Sequence, residues 1–155
     1  MLDSLLIPFR SQPQPPVLPE GYILDGQQTP SGGELNRLLV QCGDPQRLDE
    51  RLEQALARSN WQFSVRNPSG VLVGFVRATS DLALNANLWD LSADPVDPAQ
   101  AQVLLVIVHA AMARLRRELP GCSISVAAPS VALDALKRNG FVVDPGGIRA
   151  MGLRL

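Results

Sequence analysis

The feature that most constrains this chain is one long helix, read from about Ala99 to Leu119, entered through Asp94-Pro95-Val96-Asp97-Pro98 and stopped by Pro120-Gly121. Its apolar run goes from Val103 to Ile107, continues past His109 to Met112 and closes with Arg114, Arg116 and Arg117. That is too short to span a membrane. Strand candidates flank it, Leu88 to Ala93 before and Ser123 to Ala127 after, the second a buried-looking run.

Upstream, Trp61 to Val65 alternates large apolar with polar residues. Asn67-Pro68-Ser69-Gly70 supplies turn chemistry before Val71 to Val76, which predicts a hairpin. Tyr22-Ile23-Leu24 is a short strand candidate, broken by Pro30-Ser31-Gly32-Gly33. From Glu34, the residues Leu35, Leu38, Leu39 and Cys42 recur at helical spacing as far as Gly43-Asp44-Pro45. A second helix follows, with Leu48, Leu52, Ala55 and Leu56 on one side. Beyond the long helix, Ser130 is predicted to N-cap a short helix through Arg138, with Asn139-Gly140 as its left-handed stop. Phe141 to Val143 and Arg149 to Leu155 are predicted as paired closing strands around Asp144-Pro145-Gly146-Gly147. Residues 1–20 hold five prolines and read as an extended tail. Residues 21–155 then form one domain.

The 155 residues are 46% hydrophobic, enough for one sizeable core. Fourteen basic and 15 acidic residues give a formal net charge of -1, and neither sign forms a run that would bind a polyanion. Nucleic acid is therefore not an expected partner. Cys42 and Cys122 stand at no metal-ligand spacing, with His109 the single histidine, so two buried thiols and no metal site are expected. Leu5-Leu6-Ile7 stops at Pro8 with no positive charge before it, so no secretory signal is read. The expected location is the cytoplasm, with no membrane partner.

Two separated motifs sharpen the picture. Gly74-Phe75-Val76-Arg77-Ala78-Thr79-Ser80-Asp81 is followed by Asn85-Ala86-Asn87-Leu88-Trp89-Asp90, and near the C-terminus come Asn139-Gly140-Phe141 and Asp144-Pro145-Gly146-Gly147-Ile148, then Met151. They resemble the plastid and cyanobacterial branch of the Gcn5-related N-acetyltransferase (GNAT) family, over roughly residues 22 to 155. The resemblance implies an α+β (mixed α/β) fold whose central mixed, mostly antiparallel sheet is flanked by helices. It also implies acetyl transfer from acetyl-CoA to a primary amine, on a protein lysine, a protein N-terminus or a small amine. Domains of this family often pair, which leaves room for a homodimer that no sequence patch establishes.

Acetyl transfer from a thioester needs a held cofactor, a neutral amine, a stabilised oxyanion and a proton for the departing thiolate. By resemblance, backbone groups of Leu91, Ser92 and Ala93 on the fourth strand would hold the pantetheine arm. Asp90 is the general-base candidate, with Asp81 weaker. Asp81, Asn85 and Trp89 are candidate substrate contacts, although turn chemistry alone accounts for Asp81 and Asn85, and an indole in a strand is commonly core or rim. The family's glycine-rich diphosphate loop falls on Pro98 to Val103, which places Ala99, Ala101 and Val103 at the cofactor, with every glycine replaced and no cation present. Val103 would set a branched side chain where phosphate approaches. The family's thiolate acid, a tyrosine, falls on Leu136, which cannot donate a proton. Two readings therefore stand beside each other: an acetyl-CoA-dependent N-acetyltransferase in which water replaces the tyrosine, and a catalytically impaired binding or regulatory protein of the same fold, a pseudoenzyme whose acetyl-CoA binding is weak or lost.

Overall fold

The computed structural model describes residues 13–147 and 151–154. Five strands and four helices follow in the order β1 (Ile23–Asp25), α1 (Gly32–Gln41), α2 (Asp49–Ala57), β2 (Trp61–Arg66), β3 (Leu72–Ser80), β4 (Asn85–Ala93), α3 (Gln100–Glu118), β5 (Ser123–Val126) and α4 (Leu133–Arg138). They form one sheet in the order β1-β2-β3-β4-β5. The first four strands run antiparallel to their neighbours, and β5 lies parallel to β4, with α3 as the crossover between them. This is the expected α+β architecture with a mixed, mostly antiparallel sheet.

The sheet separates two cores. On one face Leu35, Leu38 and Leu39 of α1 join Leu52 and Leu56 of α2 over Leu72 and Phe75 of β3. On the other, Val103, Leu104, Ile107, Val108, Ala111 and Leu115 of α3 cover Val65, Val76, Ala78 and Leu88. Covered on both faces, β3 reads as an almost unbroken apolar run rather than an alternating one. Each such side chain contributes about 1.5–3 kcal/mol when fully buried, so these two layers carry most of the fold's stability.

Local signals fix the helix ends. Ser31 Oγ accepts from the Glu34 amide at 3.2 Å and Glu34 Oε2 accepts from the Ser31 amide at 3.0 Å, a complete capping box at the start of α1. Glu34 Oε1 also meets Arg66 at 2.6 Å, tying the helix to β2. The buried Asn36 side chain donates to the Arg47 carbonyl (2.6 Å) and Asp49 Oδ1 (2.9 Å), and its Oδ1 accepts from the Arg47 amide (3.1 Å). It latches the α1–α2 connection.

Several expectations are corrected. Phe141–Val143 forms no strand, and Val142 and Val143 are exposed. The segment predicted to pair with it lies partly outside the described residues, and residues 151–154 have no regular structure. With no ladder partner, an extended triplet between Gly140 (φ 95°) and Asp144 (φ 46°) has nothing to hold it as a strand. Ser130 makes no side-chain cap; it opens a 3-10 turn, Ser130–Ala132, that leads into α4. β4 begins at Asn85, three residues before the first apolar position used to predict it, because pairing with β3 and β5 compensates for its polar start. Neither cysteine is a buried residue: Cys42 is exposed and Cys122 is half-buried, both free.

Candidate functional site

The site begins where two strands part. β4 and β5 pair from Asn85↔Ser123 to Leu88↔Val126, after which β4 continues to Ala93 with β3 as its one strand neighbour. On its other edge the register jumps from Phe75↔Ser92 to Arg77↔Trp89, so Asp90 and Leu91 together stand opposite Val76. This is a β-bulge, and Asp90 sits in it at φ 54°, a left-handed conformation that aspartate tolerates better than most residues. A bulge bends its strand, and this one lies just beyond the last β4–β5 pair, Leu88↔Val126. A cleft of about 900 Å³ fills the gap, with Trp89, Asp90 and Ser92 on one wall and Val126, Ala128 and Phe141 on the other. Its size is that of a small-ligand site.

The side chains of Leu91, Ser92 and Ala93 are buried; Leu91 and Ser92 border the cleft, Ala93 does not, and the backbone of this stretch has no strand on its β5 side. Part of that backbone is already engaged. Ser92 Oγ donates to the Asp90 carbonyl at 3.0 Å. The Ala93 carbonyl accepts from Cys42 Sγ at 3.3 Å and from Gln100 Nε2 at 3.2 Å.

Asp90 is not isolated. Arg77 Nε donates to Asp90 Oδ2 at 2.6 Å, with both side chains mostly shielded, and the same guanidinium lies 5.9 Å from the Trp89 ring centroid. Its remaining reach goes to Ser59 Oγ at 3.4 Å. Trp89 is 42% exposed and anchored by its Nε1 donating to Thr79 Oγ1 at 2.7 Å, so the indole is a fixed wall of the cleft. Arg77 thus holds the carboxylate and the aromatic ring in one arrangement.

Other sequence-derived candidates lie elsewhere. Asp81 Oδ1 accepts from the amides of Ala83 (2.9 Å), Leu84 (2.8 Å) and Asn85 (3.0 Å), and these bonds hold its carboxyl down at about 2. Asp81 is a staple of the β3–β4 turn, and Asn85 begins the strand beside it. Neither lines the cleft. Leu136 is 2% exposed and packs into the core beneath α3, also away from the opening.

At the mouth of α3, Ala99 caps the helix without a side-chain bond, and Ala101 is exposed. Val103 is fully buried, directed at Gly74 of β3. The expectation that its side chain stands in the path of a phosphate is corrected: the branched methyls fill the core. What does stand at the mouth is Tyr22, whose hydroxyl donates to Asp97 Oδ1 at 2.9 Å.

Sequence reasoning missed four residues here. Arg77 becomes visible only once the β3–β4 register is known. Cys42 and Lys137 reach the cleft from α1's end and from α4. Burial of the Cys42 sulfur and the nearby Asp94 charge hold its thiol above the usual range. Asp94 is itself a buried carboxylate that accepts from the Val96 amide at 3.0 Å. Among the described residues no cluster of three or more histidine, cysteine or acidic side chains could hold a metal. No helix there is long and apolar enough to cross a membrane.

Comparison with known proteins follows the same line. No protein-family model matches the chain. It is similar to serotonin N-acetyltransferase 2, chloroplastic, of Oryza sativa subsp. japonica, at 34% identity over 129 residues, covering 77% of this chain and 60% of that protein. It is 31% identical over 121 residues to the uncharacterized N-acetyltransferase ycf52 of Pyropia yezoensis, covering 76% of this chain and 68% of that one. In structure it is similar to a probable acetyltransferase of meticillin-resistant Staphylococcus aureus, with a TM-score of 0.76 at 16% identity, covering 86% of this chain and 99% of the other.

Proposed function

Since this chain belongs to the GNAT N-acetyltransferase family, we propose that it transfers an acetyl group from acetyl-CoA to a primary amine in the cleft between β4 and β5. The observation that carries the reading is the end of β4–β5 pairing after Leu88 and Val126, with the bulge at Asp90 beside it. An open strand edge offers backbone donors and acceptors at strand spacing, which suits an amide-bearing arm laid alongside it. The cleft end therefore fits the pantetheine part of acetyl-CoA. The mouth of α3, where Asp97 stands and residues 93–102 include no lysine or arginine, does not fit the diphosphate.

Acetyl-CoA supplies the activated acetyl group. The chain's own residues do the rest. The free edge of β4 around Leu91 and Ser92 would hold the pantetheine arm, and its backbone N–H groups would supply the donors for an acyl oxygen. Asp90 takes the proton of the incoming ammonium, directly or through water. Trp89 walls the acceptor side, and Arg77 keeps Asp90 and Trp89 in place. As the C–N bond forms and the C–S bond breaks, the proton lost by the attacking nitrogen would pass through water to the departing sulfur, since Leu136 has none to give.

The name of the rice relative gives serotonin as its acceptor, and an exposed indole beside a carboxylate suits an aromatic amine; we include such amines with lysine and N-terminal peptides as acceptors. The alternative, a binding or regulatory protein that has lost catalysis, draws on Leu136 and on Pro98 at the helix mouth. The open cleft and the family weigh against it. We place the protein in the cytoplasm because the free thiols of Cys42 and Cys122 suit a reducing compartment; the chloroplastic location belongs to the rice relative's name.

The test is incubation of the protein with acetyl-CoA and a panel of arylalkylamines, lysine peptides and free N-terminal peptides, read by mass spectrometry. Acetylation of at least one acceptor, reduced by Asp90→Asn, is expected. No acetylated product above the uncatalysed level on any acceptor would remove the enzyme reading.

A further inference from the structure

A helix N-terminus binds anions through backbone amides that lack partners. In the turn that enters α3 those amides are largely used, and the Ala101 and Gln102 amides of its first turn are the two left over. Pro95 and Pro98 have none. The Val96 amide donates to Asp94 Oδ1 (3.0 Å), the Asp97 amide to the Asp94 carbonyl (3.1 Å), the Ala99 amide to Asp97 Oδ1 (2.8 Å) and the Gln100 amide to the Asp97 carbonyl (3.1 Å). From residue 95 to residue 100, every backbone nitrogen is either a proline's or engaged by Asp94 or Asp97.

The negative charge a ligand would bring is also present already. Asp97 lies at the mouth with Asp94 buried behind it, and residues 93–102 contain no lysine or arginine. Over this surface lies the chain's own segment. Tyr22 holds Asp97, Gln102 Nε2 donates to the Val17 carbonyl, and Leu18 packs against the core beneath α3. Val17, Pro19 and Tyr22 line one side of a groove whose other side is Pro98, Ala99 and Gln102.

From this accounting we infer that the site recognises its acyl donor as a pantetheine thioester and does not read the nucleotide diphosphate, whose place at the mouth of α3 is taken by Asp97 and the segment Val17–Tyr22. The inference rests on the acyl-transfer reading above and specifies its donor. A donor held by its arm alone binds through neutral amide contacts, so its affinity is indifferent to phosphate and to salt. Any pantetheine thioester of the right acyl group meets that description, whether or not a nucleotide is attached.

The experiment is titration calorimetry of the full chain with acetyl-CoA and with S-acetylpantetheine, at low and at high salt. The two donors are expected to bind within about threefold of each other, with no marked salt dependence, because no charge-assisted phosphate contact distinguishes them. Acetyl-CoA binding about thirtyfold or more tighter than S-acetylpantetheine, with the gap closing at high salt, overturns the inference and leaves acyl transfer intact. Binding of neither donor removes the acyl-transfer reading and this inference with it. The variant Asp97→Asn separates the terms: loss of the carboxylate is expected to improve acetyl-CoA binding about threefold while leaving S-acetylpantetheine unchanged. An equal effect on both donors would show that Asp97 acts on the cleft rather than on the nucleotide, and would overturn the assignment.

Discussion

Gly74 of β3 and Val103 of α3 are fitted to one another: a Cβ placed on Gly74 would overlap Val103 Cγ1, and Val103 has no exposed surface at all. The helix can lie this close to the sheet because one partner has no side chain. Gly74→Ala should therefore cost about 2–3 kcal/mol through overpacking, and Val103→Ala about 1–3 kcal/mol through the cavity it leaves. The double variant should cost less than the sum by about 1 kcal/mol, since removing the valine methyls makes room for the new one. Urea unfolding midpoints of the four proteins measure the coupling; strict additivity would mean that the backbone shifts instead.

Glu34 joins α1 to β2: it closes the helix's capping box with Ser31 and pairs with Arg66. The Arg66 bond, first, and the Ser31 amide hold its carboxyl at about 2, down from 4.5. A carboxyl depressed on folding contributes stability that is fully present above its unfolded value and is lost as the pH falls through the folded one. Stability should thus drop between about pH 4.5 and pH 2, and the wild type should lose more over that window than Glu34→Gln. At neutral pH the variant should be less stable by about 1 kcal/mol, a modest figure because the pair is partly solvated. Thermal melts across the acid range would decide; parallel curves for the two proteins would contradict the assignment.

What the sequence disclosed and what it hid divide along a physical line. α3 was legible because Pro98 and Pro120 bracket a helical apolar run, and the β2–β3 hairpin because Asn67–Gly70 has turn chemistry of its own. Both signals are local. The bulge was hidden, since nothing in Trp89-Asp90-Leu91 announces a left-handed aspartate; that conformation follows from the register on both sides of β4. The Arg77–Asp90 pair was hidden for the same reason, and Tyr22–Asp97 because it joins residues 75 apart in sequence. Val103 was placed at the correct helix end but facing the wrong way, because helix phase at a terminus is set by the sheet it packs on.

Asp90 serves both the bulge and, in the proposed reaction, the amine. Asparagine also tolerates a positive φ, so Asp90→Asn should keep the cleft's shape while removing a carboxylate able to take a proton. Turnover should fall about a hundredfold with donor affinity nearly unchanged, and the melting temperature should fall as Arg77 loses its charged partner. Steady-state kinetics beside a melting curve give both numbers. Undiminished turnover would reduce Asp90 to the ion-pair partner that fixes Arg77 and Trp89.

Replacing Leu136 by the tyrosine that the family carries there tests whether a missing acid limits the enzyme. The leucine is buried in the core beneath α3 and does not border the cleft, so a phenol introduced at this backbone position would have to fit a filled space or push α4 outward. The expected result of Leu136→Tyr is a loss of about 1–3 kcal/mol of stability with no gain in turnover. A rise of tenfold or so in kcat would show that the side chain does reach the departing sulfur, and that α4 can rotate to present it. Lys137, which borders the cleft from the same helix, gives the comparison: Lys137→Met leaves the core untouched, so any fall in turnover there reports the cleft's chemistry rather than its packing.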